Sequence, residues 1–388
     1  MSGSGAAPKL LFVVNVGWFF VSHRLPLALA ARAAGYEVHV AAALDRDLDA
    51  GTRALLESQG LVFHELRFSR SGSHPLELLR DFIDLRRLLR RLQPDIVHLV
   101  TLKPMLLGGI AARLAGIPNV ILAVPGRGSV FSARGPVAGL RRAVALAMYR
   151  IAYRRGASRV IIQNAEDRDY FVGRGIFAAA DVRLIRGSGA DVSRLRPSPE
   201  PAGTPVVVFA SRMLKEKGVS VFVAAARRLK EKGVAVRCVL VGDPDPGNPH
   251  SHTRAELMQW VDSGTVEWWG HKPDIGAVFA ACHIVCLPTF YGEGVPKVLI
   301  EAAACGRPIV TTDQPGCRDI VRDGDNGLLV PARDAQALEA ALARLLGDAA
   351  LRARMGARGR ALVEAEFSLD IVVRQTLDIY RELAPPRS

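Results

Sequence analysis

Thr289-Phe-Tyr-Gly-Glu-Gly-Val-Pro-Lys-Val-Leu-Ile-Glu-Ala-Ala-Ala-Cys-Gly306 is the stretch on which the reading of this chain turns. Just before it, residues 284–287 form a short apolar run that suits a buried strand. Just after it, Gly306-Arg307-Pro308 makes a turn into a second such run, 308–311. Between the two, Gly294 lets the backbone come close to a neighbour, and Pro296 suits the first turn of a helix, where its missing N–H costs nothing. Strand, glycine-bearing loop, helix and strand together make the repeating unit of a doubly wound parallel sheet. The same stretch carries two carboxylates: Glu293 in the loop and Glu301 inside the predicted helix 296–304.

Upstream, 206–210 reads as a buried strand that runs out into Ser211-Arg212, with Lys215, Lys217 and Gly218 just beyond. Cations at one strand end and carboxylates at another suit a nucleoside diphosphate attached to a sugar. Arg212 and Lys217 would clamp the pyrophosphate, and the free N–H groups of the helix start would add to that attraction. A carboxylate at Glu301 can accept from both ribose hydroxyls, each charge-assisted bond contributing about 1.5–3 kcal/mol. Glu293, in the loop, would meet the sugar ring. Taken alone, the Arg212–Lys217 loop also reads as a solvated turn, with Glu216 between its lysines, and only the acidic segment downstream favours the clamp.

The rest of the chain keeps the same rhythm. Predicted strands at 10–14, 37–43, 62–66, 95–100 and 119–124 alternate with a loop at Gly17 and helices near 26–34, 76–92 and 106–114. After 206 come a helix at 219–230, strands at 234–241 and 265–269, and three closing helices near 334–347, 350–365 and 369–384. In between, 186–205 holds four prolines and three glycines, which reads as an interdomain linker. The fold expected is α/β: two doubly wound domains facing a cleft, with ligands at the carboxyl ends of the strands.

The net charge of +13 is one-sided. Residues 1–200 hold 28 Lys and Arg against 16 Asp and Glu, whereas 201–388 hold 23 against 22. Between Asp95 and Glu166 there are ten basic residues and no acid. That excess points to an anionic partner, such as lipid headgroups or a lipid-linked pyrophosphate. No zinc-finger spacing, RNP-like aromatic pattern or basic zipper accompanies it, so nucleic acid is not expected. The longest apolar run, 10–21, is too short to span a bilayer, and the leader 1–8 lacks the basic start of a signal peptide. Five cysteines without a Cys-x-x-Cys pair suit reduced thiols in the cytoplasm. Cys282-His283-x-x-Cys286 reads as the flank of a buried strand rather than a metal site. The Asp-x-Asp pairs at 45/47, 167/169, 243/245 and 323/325 read as surface turns. With Arg212 and Lys217 supplying positive charge, no metal or other cofactor is expected beyond the nucleotide sugar as co-substrate.

Ser211-Arg212-x4-Lys217-Gly218, then Val241-Gly242-Asp243, then Tyr291-Gly-Glu-Gly-Val-Pro-Lys-Val…Glu301 resembles the retaining glycosyltransferases of family 4, which have the GT-B fold. Arg24-Leu-Pro-Leu27, Pro94-Asp-Ile-Val-His98, Lys103-Pro104, Gly187-Ser-Gly189 and Pro315-Gly-Cys-Arg-Asp319 resemble a bacterial subgroup that builds capsules, O-antigens and protein-linked glycans on undecaprenyl-pyrophosphate sugars. The resemblance implies an acceptor- and membrane-facing domain at 1–190, a linker at 191–205, and a donor domain at 206–367. It also implies a last helix, 368–388, that crosses back to the first domain. Arg212, Lys217 and Glu293 would then be catalytic. Gly17, Gly294, Val295, Pro296, Lys297 and Glu301 would complete the donor site. Arg24, Lys103, Arg127, Arg141 and Arg142 would face the acceptor and the inner leaflet.

The implied activity is transfer of a hexose or N-acetylhexosamine, with UDP as the expected carrier, to an undecaprenyl-pyrophosphate-linked saccharide. Where many relatives carry His-Gly after the strand at 119–124, this chain has Pro125-Gly126, which removes one sugar contact. The alternatives are a nucleotide-sugar epimerase on the same fold and a non-catalytic nucleotide-sugar-binding protein.

Overall fold

The computed structural model describes residues 7–45, 49–68, 74–128, 131, 135–154 and 156–386. Two units emerge, Met1–Ile185 with Val372–Ser388, and Arg186–Ile371.

The first unit is a seven-stranded parallel sheet in the order β3-β2-β1-β4-β5-β6-β7. Its strands are β1 (Lys9–Val16), β2 (Glu37–Ala43), β3 (Val62–Glu65), β4 (Ile96–Val100), β5 (Asn119–Val124), β6 (Ser158–Ile162) and β7 (Val182–Leu184). Its helices in chain order are α1 (Gly17–His23), α2 (Leu25–Ala33), α3 (Thr52–Ser58), α4 (Pro75–Leu92), α5 (Gly109–Ala115), α6 (Pro136–Ala152) and α7 (Ala165–Gly173). Residues 10–14 of β1 are wholly buried on both faces, as the continuous apolar run requires of a central parallel strand. On one face Phe12 packs with Phe20, Leu27 and Leu56 of α1–α3. On the other, Leu11 and Val13 pack with Leu85 and Leu88 of α4, Ala112 of α5, Tyr149 of α6 and Phe171 of α7.

The second unit repeats the plan in six parallel strands ordered β10-β9-β8-β11-β12-β13. These are β8 (Val206–Ala210), β9 (Arg237–Val241), β10 (Glu267–Trp268), β11 (Ile284–Leu287), β12 (Ile309–Thr312) and β13 (Gly327–Val330). The helices are α8 (Val219–Glu231), α9 (Arg254–Asp262), α10 (Ile275–Ala280), α11 (Lys297–Ala304), α12 (Pro315–Ile320), α13 (Ala335–Leu346), α14 (Ala349–Leu362) and α15 (Leu369–Leu383). Side-chain caps fix several starts: Thr253 and Glu256 form a reciprocal capping box at α9, and Asp334 and Asp348 cap α13 and α14. In both sheets the strand order reverses beside the first strand, between β1 and β4 and between β8 and β11. Such a reversal opens a crevice at the carboxyl ends of the strands.

From Val372 onward α15 belongs to the first unit. Tyr380 lies in the α1–α3 core, its hydroxyl 2.6 Å from His98 Nδ1, and Asn119 donates to the Leu383 carbonyl at 3.2 Å.

Three sequence expectations need correction. Gly17 is not in a loop: it opens α1 directly after β1, and a Cβ there would lie 2.6 Å from Asp49 Oδ1. The glycine serves packing of α1 against the segment leading into α3. Pro296 precedes the helix as its N-cap, so α11 begins at Lys297. The proline-rich stretch after 190 is no free linker, because three arginines from far downstream fasten it to the second unit. Arg307 donates to Ser198 Oγ and the Pro199 carbonyl, Arg352 pairs with Glu200 at 2.7 Å, and Arg360 donates to the Val192 and Leu195 carbonyls.

Candidate functional site

The crevice between β8 and β11 is built by backbone contacts first. The chain leaves β8 through Ser211 and Arg212 into a 3-10 turn, Lys215–Lys217. Gly218 follows at φ +83°, where a Cβ would lie 2.1 Å from the Pro288 carbonyl oxygen. Only glycine lets this loop press on the exit of β11. Phe290 N donates to the Glu216 carbonyl at 2.9 Å, which ties the two loops together.

Across that junction Lys217 Nζ meets Glu293 Oε2 at 2.5 Å, with both side chains less than one-fifth exposed. The other oxygen of Glu293 lies 2.9 Å from the hydroxyl of Thr289. Thr289 is wholly buried, and its carbonyl accepts from the Thr312 hydroxyl at the end of β12. Glu293 is thus held from both sides, by Lys217 after β8 and Thr289 after β11, with Thr289 itself braced from the end of β12. Gly316, near the start of α12, completes the support: a Cβ there would lie 1.2 Å from the Gly294 carbonyl oxygen. Val295 and Pro296 are buried, and Val295 joins the core.

On the first turns of α11, Lys297 Nζ pairs with Glu301 Oε1 at 2.8 Å. Arg212, nearly half exposed, reaches Asp245 Oδ2 at 2.9 Å, and Asp245 is only 3% exposed. Its backbone N–H donates to Ser251 Oγ at 2.8 Å. The Asp245 side chain is therefore a buried anchor for Arg212, while its carbonyl accepts from Asn248 N at 2.8 Å across the exposed turn that follows. Each of the three cations rests on a carboxylate, with Arg212 the most exposed of them and Lys217 the least.

Sequence reasoning missed Thr289, Asp245, Thr312 and Gly316. The Thr311-Thr312 end of an apolar strand, and the glycine after Pro315, were the available signals.

The first-unit residues divide differently. Arg24 sits between α1 and α2 and is 7% exposed. Burial pulls its pKa down to about 10, against the opposing effect of Tyr380. It presents no charge to a membrane, contrary to the expectation. Lys103 pairs with the buried Asp81 at 3.0 Å, and Arg127 with Glu166 at 2.7 Å and Asp167 at 2.6 Å. Arg141 is exposed and Arg142 half-buried, both on α6. Arg134 and Arg155 of the basic stretch lie outside the described residues.

All five cysteines are buried free thiols. Burial raises the Cys282 pKa to about 12 and that of Cys305 to about 11. His283 accepts the Val206 N–H on Nδ1 at 3.0 Å, and burial lowers its pKa. These residues are structural.

Residues 9–164 match the family described as glycosyl transferase 4-like, and 204–348 match glycosyl transferases group 1. An N,N'-diacetylbacillosaminyl-diphospho-undecaprenol alpha-1,3-N-acetylgalactosaminyltransferase of Campylobacter jejuni is 27% identical over 96% of this chain and 98% of that one. An alpha-maltose-1-phosphate synthase of Mycolicibacterium smegmatis is 30% identical over 74% of this chain and 79% of its own. Among solved structures, Anabaena HepE in complex with UDP and glucose superposes with a TM-score of 0.75 at 21% identity, covering 96% of this chain and 99% of that one. On the sequence matches, with a fold of two Rossmann-like parallel sheets in agreement, this chain belongs to the group 1, family 4-like glycosyltransferases of the GT-B fold.

Proposed function

We propose that this glycosyltransferase takes a UDP-linked hexose or N-acetylhexosamine at the β8–β11 crevice and passes the sugar, with retention, to a saccharide carried on undecaprenyl pyrophosphate. The observation that carries the reading is the Lys217–Glu293 pair, braced by Thr289 beside the loop that leads to the Lys297–Glu301 pair. When the donor binds, its pyrophosphate takes over Lys217 and Arg212, and Glu293 is released toward the sugar hydroxyls. Glu301 accepts from the ribose, and the main chain at Gly294, Val295, Pro296 and Lys297 lines the phosphate and sugar. The C. jejuni relative supports a lipid-diphosphate acceptor and HepE supports a UDP carrier.

In the reaction the bond from sugar C1 to the β-phosphate oxygen breaks and a bond from C1 to the acceptor oxygen forms on the same face. The acceptor hydroxyl proton passes to the departing phosphate. Arg212 and Lys217 offset the charge growing on UDP, so the reaction needs no metal. Glu293 positions the sugar and stabilises its developing positive charge. No helix among the described residues is long and apolar enough to cross a membrane. We place the enzyme at the inner face of the cytoplasmic membrane, in O-antigen, capsule or related glycan assembly.

The test is a panel of UDP-, GDP- and ADP-sugars in EDTA, with and without a lipid-pyrophosphate saccharide. Acceptor-dependent release of UDP, with an anomerically retained product by NMR, is expected. Donor conversion without acceptor would mean an epimerase, and binding without turnover would mean a binding protein.

A further inference from the structure

The segment Asp243-Pro-Asp-Pro-Gly-Asn-Pro-His-Ser-His252 follows β9 and leads into α9. Three prolines restrict its backbone, and Asp245 stands between two of them. The segment runs beside the turn that carries Arg212, Lys215 and Lys217. Met213 N donates to the Asp243 carbonyl at 3.1 Å, Lys215 N to the His250 carbonyl at 2.9 Å, and His252 N to the Met213 carbonyl at 2.7 Å. Leu214 and Ser251 form an antiparallel bridge. Just before the segment, Gly242 has φ +119°, and a Cβ there would lie 2.0 Å from the Ser211 carbonyl oxygen. At its far end His252 is buried, its ring edge-on to Trp260 with centroids 5.1 Å apart. The result is a strap, fixed at both ends and bonded along its length to the turn that holds the cations.

Asp245 is the carboxylate that this strap presents. Its backbone N–H donates to Ser251 Oγ at 2.8 Å, Ser251 Oγ donates to the His252 carbonyl at 2.9 Å, and Asp245 Oδ2 accepts from Arg212 Nη1 at 2.9 Å. The two partners differ in freedom. Asp245 is buried and stiffened by its neighbours, whereas Arg212 is nearly half exposed. A long side chain that open to solvent samples many rotamers unless something fixes it. Here the fixed partner orients the mobile one.

We infer that Asp245 and Ser251 are positioning residues for sugar transfer, acting through Arg212. The inference rests on the proposed function and deepens it. A guanidinium carries several N–H donors in one plane. Asp245 therefore keeps Nη1 while the pyrophosphate takes another edge, and exchange at this pair is partial. Held in this way, Arg212 meets the charge that grows on the departing diphosphate without first having to be ordered. The same carboxylate tempers the attraction of Arg212 for the pyrophosphate before reaction. Removing its charge thus slows turnover and leaves donor binding intact or tighter.

The experiment is steady-state kinetics of the full chain with the UDP-sugar and lipid-pyrophosphate saccharide that wild type uses best, alongside UDP calorimetry on the same samples. Asp245→Asn is expected to lower kcat at least about tenfold with UDP affinity unchanged or higher. Ser251→Ala should lower kcat less, and Ser251→Thr, which restores the hydroxyl, should bring it back toward wild type. In an Arg212→Ala background Asp245→Asn should change kcat by less than about twofold, because its effect runs through that arginine. Unchanged kcat in Asp245→Asn would overturn the inference and leave the proposed function standing. So would a parallel loss of kcat and UDP affinity, the mark of a merely structural role, or a full additional loss in the Arg212→Ala background. Wild type that transfers sugar to no acceptor would instead overturn the proposed function, and the inference with it.

Discussion

The two units share one strand order, yet they treat polar groups at their reversal points in opposite ways. Beside β1 and β4 the polar groups are sunk. His98 stacks on Phe12 at 5.1 Å and bonds the Tyr380 hydroxyl, and Arg24 is buried nearby. Burial drives the His98 pKa well down, aided by Arg24, and the Tyr380 pKa well up. Beside β8 and β11 the cations are partly exposed and rest on neighbouring carboxylates. The same topology thus makes a locked polar core in one unit and, in the other, a row of partly exposed ion pairs that we propose exchange for the donor. What differs is solvent access, since a buried polar network rewards permanence and an accessible pair rewards substitution by ligand.

Substitutions can break this contrast. The largest effect should come from Gly218→Val, which forces a branched side chain at φ +83° into the Pro288 carbonyl. A loss of about 2–4 kcal/mol is expected. Tryptophan fluorescence in urea reads it directly, because Trp260, Trp268 and Trp269 all lie in the second unit. Next, Glu301→Ala should weaken donor binding by about 1.5–3 kcal/mol in calorimetry. Lys217→Ala should cut turnover at least about tenfold, equivalent to about 1.4 kcal/mol. Neither should shift the unfolding midpoint much. Wild-type kinetics in both would remove the exchangeable site.

Tyr380→Phe is the mirror experiment in the first unit. It deletes the hydroxyl that meets His98 and should cost about 1 kcal/mol of stability while UDP affinity holds. A change in UDP affinity without loss of stability would reverse the assignment of roles.

The smallest effect is on pH. Burial lowers the pKa of His39, and burial with the charges of His39 and Arg91 brings that of His64 from 6.5 to about 4. The folded state then binds fewer protons than the unfolded chain between those values. The stability from His64 is complete above about 6.5 and falls away as pH drops toward about 4. A thermal midpoint that declines modestly over that interval is expected. A flat or rising profile would contradict the burial of the His39–His64 pair across β2 and β3.

Much of the proposed donor site was legible because its spacing is local. Gly294, Pro296 and Glu301 lie within one loop and helix, and the apolar run at 284–287 announced the strand before them. What escaped depends on distant partners. Lys103 finds Asp81 from the α4 core, Arg127 finds Asp167 forty positions on, and Arg307, Arg352 and Arg360 pin a stretch more than one hundred positions earlier. A surplus of arginine therefore says how much charge a unit carries, not which charges are free.

The most direct test of the central claim is amide hydrogen exchange of the full chain in EDTA, with and without UDP. The account predicts the strongest protection in 211–218 and 289–304, where the exits of β8 and β11 meet. Binding of UDP with those segments unprotected would contradict it.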